Sequence, residues 1–278
     1  MQYILALRSY GDFVILLNHL VHSESKKSIK VIASLHLKPL YDALNETIDL
    51  KDINIVFIDL QINNGLLNIF SNQYMFSIST YTQIKYLKTA INQHITSDNY
   101  DLVLEKENRK WLLQFCTNLK FSFIVSKNSR VYDAFSSFFN VKNYLYNASL
   151  SKAQLITILP IARLKKRNFP IDLVKKLVDQ IENAGFKSKV FSFKKYHYKN
   201  DFIYDSFNSL IQHIKNSHFL FCADSLQAHL SYLLKVPHYI YIPKHGKTDF
   251  MTPFVLHNNY FASFDHVDLK FLDNHDVN

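Results

Sequence analysis

The chain has 278 residues, of which 48% are hydrophobic and 20% charged; this composition excludes a disordered protein and allows one large domain or two medium ones. The net charge is +9, and Arg163–Lys199 alone carries eleven basic and three acidic residues. This basic segment suits a phosphate-bearing partner: a nucleotide, a phosphorylated glycolipid, an anionic membrane surface or nucleic acid. A solvated helix face explains it equally well.

The two cysteines, Cys116 and Cys222, lie far apart in apolar surroundings, which favours buried thiols in a reducing cytoplasm over a disulfide or zinc framework. The N-terminus lacks the basic flank and long apolar core of a signal peptide, and no apolar run approaches transmembrane length. We therefore expect a cytoplasmic protein that is at most peripheral to the inner face of the cell membrane.

Short apolar runs alternate with amphipathic stretches from end to end. The first half predicts strands at Tyr3–Leu7, Lys30–Ser34, Asn54–Asp59, Met75–Ser79, Asp101–Glu105 and Phe121–Val125. It predicts helices at Phe13–His22, Leu37–Leu44, Gln83–His94, Asn108–Thr117 and Arg130–Phe139. After a polar segment, Tyr146–Lys152, further strands are expected at Leu155–Leu159, Lys189–Phe193, His218–Cys222 and His238–Ile242, with helices at Ile171–Ala184, Asp205–Lys215 and Leu226–Leu234. This alternation predicts an α/β fold of two Rossmann-like domains, residues 1–150 and 151–278.

Only four glycines occur, at Gly11, Gly65, Gly185 and Gly246. Their positions exclude a dinucleotide-binding glycine loop, a Walker A loop and a nucleophile elbow. Gly185 is expected to end a helix. Metal sites are not predicted, since no zinc-binding helix motif is present and the pair His19 and His22 has no evident carboxylate or thiolate partner.

Three elements stand where a parallel sheet binds ligands, directly after predicted strands. The first is Arg8–Asp12, where Gly11 allows a sharp turn and Asp12 is either a plain N-cap or a base for a hydroxyl group. The second is the basic loop Ile158–Pro170, which is either a diphosphate clamp or an ordinary surface loop. The third is Phe219–Ile242, where Asp224 and Ser225 open a helix that carries His229 one turn later.

Together and in this order, the three elements resemble glycosyltransferase family 9, the bacterial lipopolysaccharide heptosyltransferases and their relatives. Ile4–Asp12 is similar to the family's first strand and turn. Pro160–Ala162 and Arg167–Pro170 are similar to its Pro-x-Ala and Lys-x-Trp-Pro elements, with arginine and phenylalanine substituted. Asp224–Ser231 is similar to its donor motif, except that Leu226 replaces a glycine. The resemblance covers nearly the whole chain and implies a GT-B fold, in which two Rossmann-like domains face a cleft.

The resemblance implies inverting glycosyl transfer from a nucleotide-sugar, without a metal ion or other cofactor. The donor would be ADP-heptose and the acceptor a lipopolysaccharide or lipooligosaccharide core or a related glycan. Asp12 would be the catalytic base, in a turn formed with Arg8, Ser9 and Gly11. The residues assigned to the donor are Arg167, Lys166, Asp224, Ser225, Leu226 and His229.

Two other functions are compatible with the sequence. A non-catalytic relative that binds a sugar nucleotide or glycan is suggested by Leu226, because a leucine crowds the place where the family's backbone approaches the diphosphate. A nucleic-acid-binding module is suggested by the positive charge and by the 23 phenylalanines and 17 tyrosines. It lacks a basic recognition helix, and core packing explains aromatic residues within apolar runs. The sequence leaves the donor base and sugar, the acceptor and the oligomeric state open.

Overall fold

The structure is a computed structural model. It describes residues 1–60, 76–96, 98–107, 110–146, 154–193, 201–243 and 246–263. The chain divides into two compact units, Met1–Lys142 and Asn143–Asn278. The predicted boundary near residue 150 falls in a segment outside the described ranges and stays a prediction.

The first unit is a parallel five-stranded sheet with helices between the strands. The strands are β1 (Gln2–Ala6), β2 (Ile29–Ser34), β3 (Asn54–Ile58), β4 (Asp101–Lys106) and β5 (Phe121–Val125). The helices are α1 (Tyr10–His22), α2 (Lys38–Asn45), α3 (Ile78–His94), α4 (Lys110–Thr117) and α5 (Val131–Phe139). The strand order is β3-β2-β1-β4-β5. Because connections between parallel strands are right-handed, α1 and α2 lie on one face and α3 and α4 on the other.

The second unit repeats this plan with six parallel strands. They are β6 (Leu155–Leu159), β7 (Lys187–Ser192), β8 (Asp201–Ile203), β9 (Phe219–Ala223), β10 (His238–Ile242) and β11 (Phe261–Ser263). The helices are α6 (Ile171–Asn183), α7 (Phe207–Lys215), α8 (Leu226–Leu233) and α9 (Pro253–Asn258). The order β11-β10-β9-β6-β7-β8 is that of a dinucleotide-binding fold. The predicted α/β class with two Rossmann-like units is confirmed.

The central strands are apolar because both of their faces are covered. In β1, Leu5 is opposite Ile32 of β2 and Leu104 of β4, and all three side chains are buried. Helices α3 and α4 contribute apolar side chains to the same core cluster as β1 and β4, including Ile84 and Leu113. This packing fixes the ends of β1 and β4 next to each other.

In the second unit, α6 buries one apolar stripe against its sheet and ends at Asn183, with Ala184 as its C-cap. Gly185 follows the C-cap with φ 86°, as predicted for a glycine that terminates a helix. The chain enters this unit through Tyr144, whose ring stacks on that of Tyr232 in α8 with centroids 4.4 Å apart. The hydroxyl of each tyrosine donates a hydrogen bond to the backbone carbonyl of the other. Residues 143–146 are therefore attached to α8.

One predicted strand, Met75–Ser79, is wrong. Met75 lies outside the described residues, and α3 already begins at Ile78, five residues before the predicted helix start. The reason is local: the Ser77 side chain accepts a hydrogen bond from the Thr80 backbone N–H and caps the helix. The sequence analysis also missed the short elements β8, α9 and β11.

Of the helices in the described ranges, none has the length and apolar character needed to cross a bilayer.

Candidate active site

In the first unit the strand order reverses between β1 and β4, which makes this position the topological switch point of the sheet. From β1 the chain continues to β2 on one side, and from β4 it continues to β5 on the other. The carboxyl ends of these two strands flank the crevice where open α/β sheets bind ligands. The turn Arg8–Asp12 follows β1, and β4 ends in Glu105 and Lys106. The charged or polar side chains that meet at this switch point are those of Arg8, Ser9, Asp12, Glu105 and Lys106.

Asp12 lies in the first turn of α1, three residues after the N-cap. The N-cap is Ser9, whose hydroxyl oxygen accepts a hydrogen bond from the Asp12 backbone N–H and donates one of 2.8 Å to Asp12 Oδ2. The reading of Asp12 as an N-cap is thus wrong. The expected sharp turn at Gly11 is wrong too, because Gly11 is a helical residue without a positive φ and the extended backbone of Ser9 makes the turn.

The Asp12 carboxylate is 6% exposed and is held between two cations. Lys106 Nζ lies 3.4 Å from Oδ1, and Arg8 Nη1 lies 4.0 Å from Oδ2. Burial lowers the pKa of Lys106, and the charge of Asp12 opposes that effect. These contacts hold the Asp12 carboxylate in one orientation, with a cationic side chain beside each of its oxygens.

Glu105 is a second carboxyl group at this point, and the sequence analysis did not identify it. It is 2% exposed, and within the described residues neither of its oxygens has a hydrogen-bond partner. Burial raises the pKa of Glu105 well above its usual range, and the nearby charge of Asp12 raises it further, against the opposing effects of Arg8 and Lys106. Both effects favour the protonated, uncharged form of Glu105.

His36 supports the turn from the 3-10 helix Leu35–Leu37, which follows the neighbouring strand β2. Its Nε2 lies 2.9 Å from the Arg8 carbonyl oxygen and must donate to it, so Nδ1 accepts from the Ser34 hydroxyl at 2.9 Å. Burial lowers the pKa of His36, which favours this neutral ring. The sequence gave one indication of it, a histidine two residues after the predicted strand Lys30–Ser34.

In the second unit the equivalent switch point lies between β6 and β9. The loop after β6 contains Arg167, and the turn after β9 begins with Asp224. Arg167 Nη1 is 3.1 Å from Asp224 Oδ2 and also donates to the Asp224 carbonyl oxygen at 3.2 Å. A cation is thus fixed at the start of α8, as its place in the sequence suggested, whereas the neighbouring Lys166 is exposed.

Helix α8 begins after Ser225, which is its N-cap but makes no side-chain capping bond. In the first turn the Ala228 backbone N–H donates to the Ser225 carbonyl oxygen at 3.1 Å. Helix geometry leaves the N–H groups of Leu226 and Gln227 without an acceptor in the helix, so these two and the Ser225 hydroxyl are available to an anion. Leu226 is the first helical residue and is partly exposed at this end. His229, one turn further on, is 4% exposed.

Gln227 is a further polar residue at this helix start that the sequence analysis missed. Its Nε2 donates to the Ile161 carbonyl oxygen at 3.0 Å and lies 3.4 Å from the Tyr204 hydroxyl. The contact with a carbonyl oxygen shows which end of the side-chain amide is the NH₂ group. The other end, Oε1, is buried and has no hydrogen-bond partner in the described part of the chain. An uncharged acceptor is therefore left beside the cationic loop.

His19, one of the pair considered as metal ligands, uses both ring nitrogens in contacts within the first unit. They lie 2.8 Å from the Ile15 carbonyl oxygen and 3.2 Å from Ser136 Oγ. Nowhere in the described ranges do three or more His, Cys, Asp or Glu side chains form a group that could hold a metal ion.

Comparison of the whole chain with solved structures finds glycosyltransferases, among them heptosyltransferases, with a similar fold. The glycosyltransferase of family 9 from Veillonella parvula is 12% identical, with a TM-score of 0.60, over 95% of this chain and 85% of that one. E. coli heptosyltransferase WaaC with ADP is 10% identical, with a TM-score of 0.56, over 95% and 92%. E. coli ADP-heptose lipopolysaccharide heptosyltransferase II is 12% identical, with a TM-score of 0.53, over 96% and 90%.

The fold is that of the family 9 heptosyltransferases. No family model matches the sequence, and no curated protein matches it by sequence. At 10–12% identity these structures show the GT-B type of fold, a pair of Rossmann-like units. The expected fold class is thereby confirmed, while the roles of the individual site residues remain predictions.

Proposed function

We propose that this protein is a divergent glycosyltransferase of family 9 that transfers a sugar, with inversion, from a nucleotide-sugar to a glycan. The observation that carries the proposal is the Arg167–Asp224 pair at the start of α8. The pair holds the Arg167 guanidinium beside the N-terminus of α8, at the topological switch point of the second unit, in a fold shared with solved heptosyltransferases. A cation beside a helix N-terminus supports binding of a diphosphate there.

The second unit is proposed to hold the donor. The backbone amides of Leu226 and Gln227 and the Ser225 hydroxyl would bind the diphosphate, with His229 supporting the turn. Arg167, and Lys166 from the exposed side of the loop, would neutralise the negative charge that develops as the nucleoside diphosphate leaves. We propose that these cations do the work that a metal ion does in other transferases. Unchanged turnover in EDTA is the expected result.

The first unit is proposed to supply the base. Ionised Asp12 would take the proton of the acceptor hydroxyl while the acceptor oxygen forms a bond to the anomeric carbon and the bond to the diphosphate breaks. Ser9 and Lys106 orient the carboxylate. The raised pKa of Glu105 favours its protonated form, so Asp12 is the carboxylate proposed to accept the proton. The positive charges of Arg8 and Lys106 beside it would attract an anionic acceptor.

The identities of the sugars belong to the same proposal. Neighbouring structures are described with ADP and with ADP-2-deoxy-2-fluoro heptose, which supports heptose from ADP-heptose as the donor. A lipopolysaccharide core or a related glycan is the proposed acceptor. Both cysteines are free, which supports a cytoplasmic location.

The test is transfer from a panel of ADP-, GDP-, UDP- and CMP-sugars to a truncated lipooligosaccharide acceptor. Asp12→Asn should lower turnover about 10²–10⁴-fold, the usual contribution of a general base, and leave nucleotide affinity nearly unchanged. Asp42→Asn is the matched control, because Asp42 is an exposed aspartate of the same unit that forms an ion pair with Lys38 on the same helix. Near-normal turnover of Asp12→Asn would remove Asp12 from the mechanism.

A second function is favoured by Leu226, the residue that occupies the place of the family's glycine. Leu226 is the first helical residue of α8, and its side chain is proposed to restrict access to the backbone amides of that turn. A protein that binds a sugar nucleotide without turning it over would show a rise in melting temperature with one of the panel and no product. Turnover by the wild-type chain would reject this alternative.

A further inference from the structure

The most exposed large apolar side chains among the described residues of the first unit lie on or next to helices α3 and α4. In the described part of the chain, the four most exposed large apolar residues belong to or precede α3 and α4: Phe76 (84% exposed), Ile78 (86%), Tyr81 (67%) and Phe115 (79%). Trp111, on α4, is 55% exposed. Scattered exposed apolar residues need no explanation, but a cluster on adjacent elements marks an interaction surface.

These side chains lie on a common outer surface because of how the two helices pack. Helices α3 and α4 contact each other, and both bury their opposite stripes in the core cluster of the first unit. On α3, Ile78, Tyr81, Lys85 and Lys88 follow one another at intervals of three or four residues, which places them on one face. On α4, Trp111 and Phe115 are four residues apart and also share a face.

The acidic and basic residues within helices α3 and α4 all have one sign. Helices α3 and α4 together contain Lys85, Lys88 and Lys110 and no aspartate or glutamate. Lys85 and Lys88 are exposed on the same stripe as Ile78 and Tyr81. We call this surface, with Phe76, Trp111 and Phe115, the α3/α4 face.

We propose that the α3/α4 face docks on an anionic lipid bilayer. Exposed aromatic rings accompanied by lysines suit the boundary between head groups and acyl chains, where the rings are half buried and the lysines contact acidic lipids. In a parallel α/β unit the helices run back from the carboxyl edge of the sheet, so the N-terminal ends of α3 and α4 lie at that edge. This is the edge that also bears Asp12, so an acceptor carried by the bilayer would be presented on the side of the proposed base.

The proposal is independent of glycosyl transfer, because it depends only on the shape and charge of the face. Each lysine near an acidic membrane strengthens partitioning by on the order of fivefold, and salt weakens this contribution. Reversing the charge of two lysines is therefore expected to weaken partitioning by at least about tenfold.

The chain contains a built-in probe for the test, since Trp111 is its only tryptophan. The full-length protein would be titrated with large unilamellar vesicles of phosphatidylethanolamine and phosphatidylglycerol, and separately with phosphatidylcholine vesicles. With the acidic vesicles, the Trp111 emission should shift to the blue, brominated acyl chains should quench it, and the protein should sediment with the vesicles. Binding should weaken with added salt and be at least tenfold weaker to phosphatidylcholine.

Three variants locate the contact. Lys85→Glu/Lys88→Glu and Phe115→Ser should each weaken vesicle binding about tenfold or more, with unchanged circular dichroism because all three side chains are exposed. Leu145→Ser is the matched control, since Leu145 is 52% exposed but belongs to the second unit, and it should bind like the wild type.

Several results would overturn the proposal. One is an unchanged emission with no sedimentation, and another is binding that both face variants retain in full. An emission shift that depends on protein concentration without any vesicles would show that the face pairs with a second copy of the chain instead. Vesicle binding without sugar transfer would leave this inference standing while the proposed function fails, so the two can be told apart.

Discussion

Glu105→Gln tests whether the buried carboxyl group beside Asp12 is neutral in the folded protein. Glu105 is 2% exposed, and among the described residues its two oxygens have no hydrogen-bond partner. Glutamine has nearly the same shape but cannot ionise. If the folded protein keeps Glu105 protonated, the substitution removes a titrating group without removing a charge.

The sign of the pH effect follows from the raised pKa. Above about pH 4.5 the unfolded chain releases the Glu105 proton, whereas the folded chain retains it up to its raised pKa. This contribution to stability is therefore complete below pH 4.5 and is lost progressively as the pH rises towards the folded pKa, by roughly 1 to 1.5 kcal/mol per pH unit. Glu105→Gln lacks this loss, so its stability relative to the wild type should increase with pH at that rate.

The assay is urea unfolding at pH 5, 6, 7 and 8, followed by the emission of Trp111, which lies in the same unit as Glu105. Burying the amide adds a destabilisation of about 1–3 kcal/mol, but this offset does not vary with pH. Glu107→Gln, which removes an exposed carboxyl group two residues away, is the control and should show no such trend. A difference between Glu105→Gln and the wild type that stays constant from pH 5 to 8 would refute the reasoning.

The remaining predictions concern the two helix starts. His229→Ala should weaken nucleotide-sugar binding in calorimetry, because a buried ring next to the first turn of α8 is lost; unchanged affinity would restrict His229 to packing. Leu226→Gly should tighten nucleotide binding by about tenfold by opening the approach to the helix amides, with Leu226→Ala in between, and equal dissociation constants would show that the leucine does not obstruct the ligand. Gly11→Ala should raise the free energy of unfolding by about 0.5–1 kcal/mol because Gly11 is helical, with no change in KM. A large rise in KM would restore a role for close backbone approach at Gly11.

Much of the fold could be predicted because alternation of strand and helix is a local property of the sequence. The places of Asp12, Arg167 and Asp224 were also predictable, since each follows a recognisable strand and all strands of a parallel sheet end at one edge. Their partners could not be predicted. Glu105 and Lys106 look like a polar end to a strand, and only the pairing of β4 with β1 brings them to Asp12.

Side-chain environment was the other limit. Aromatic residues in apolar runs were interpreted as core, yet Trp111 and Phe115 point outwards because the neighbouring Leu112 and Leu113 already fill the inner stripe of α4. The wrong strand at residues 75–79 hid the cap at Ser77 and with it the start of α3. The position of the Gln227 side chain could not be predicted from the sequence, because it is fixed by a hydrogen bond to the Ile161 carbonyl group, 66 residues away.

The reciprocal hydrogen bonds of Tyr144 and Tyr232 bear on how the protein can be dissected. An expression fragment that starts at residue 154, with the first strand of the second unit, would lose the ring that covers Tyr232 and expose one side of α8. A fragment that starts at Asn143 retains both rings. Nucleotide binding by the isolated C-terminal half is therefore best measured on residues 143–278, and the shorter fragment should melt at a lower temperature.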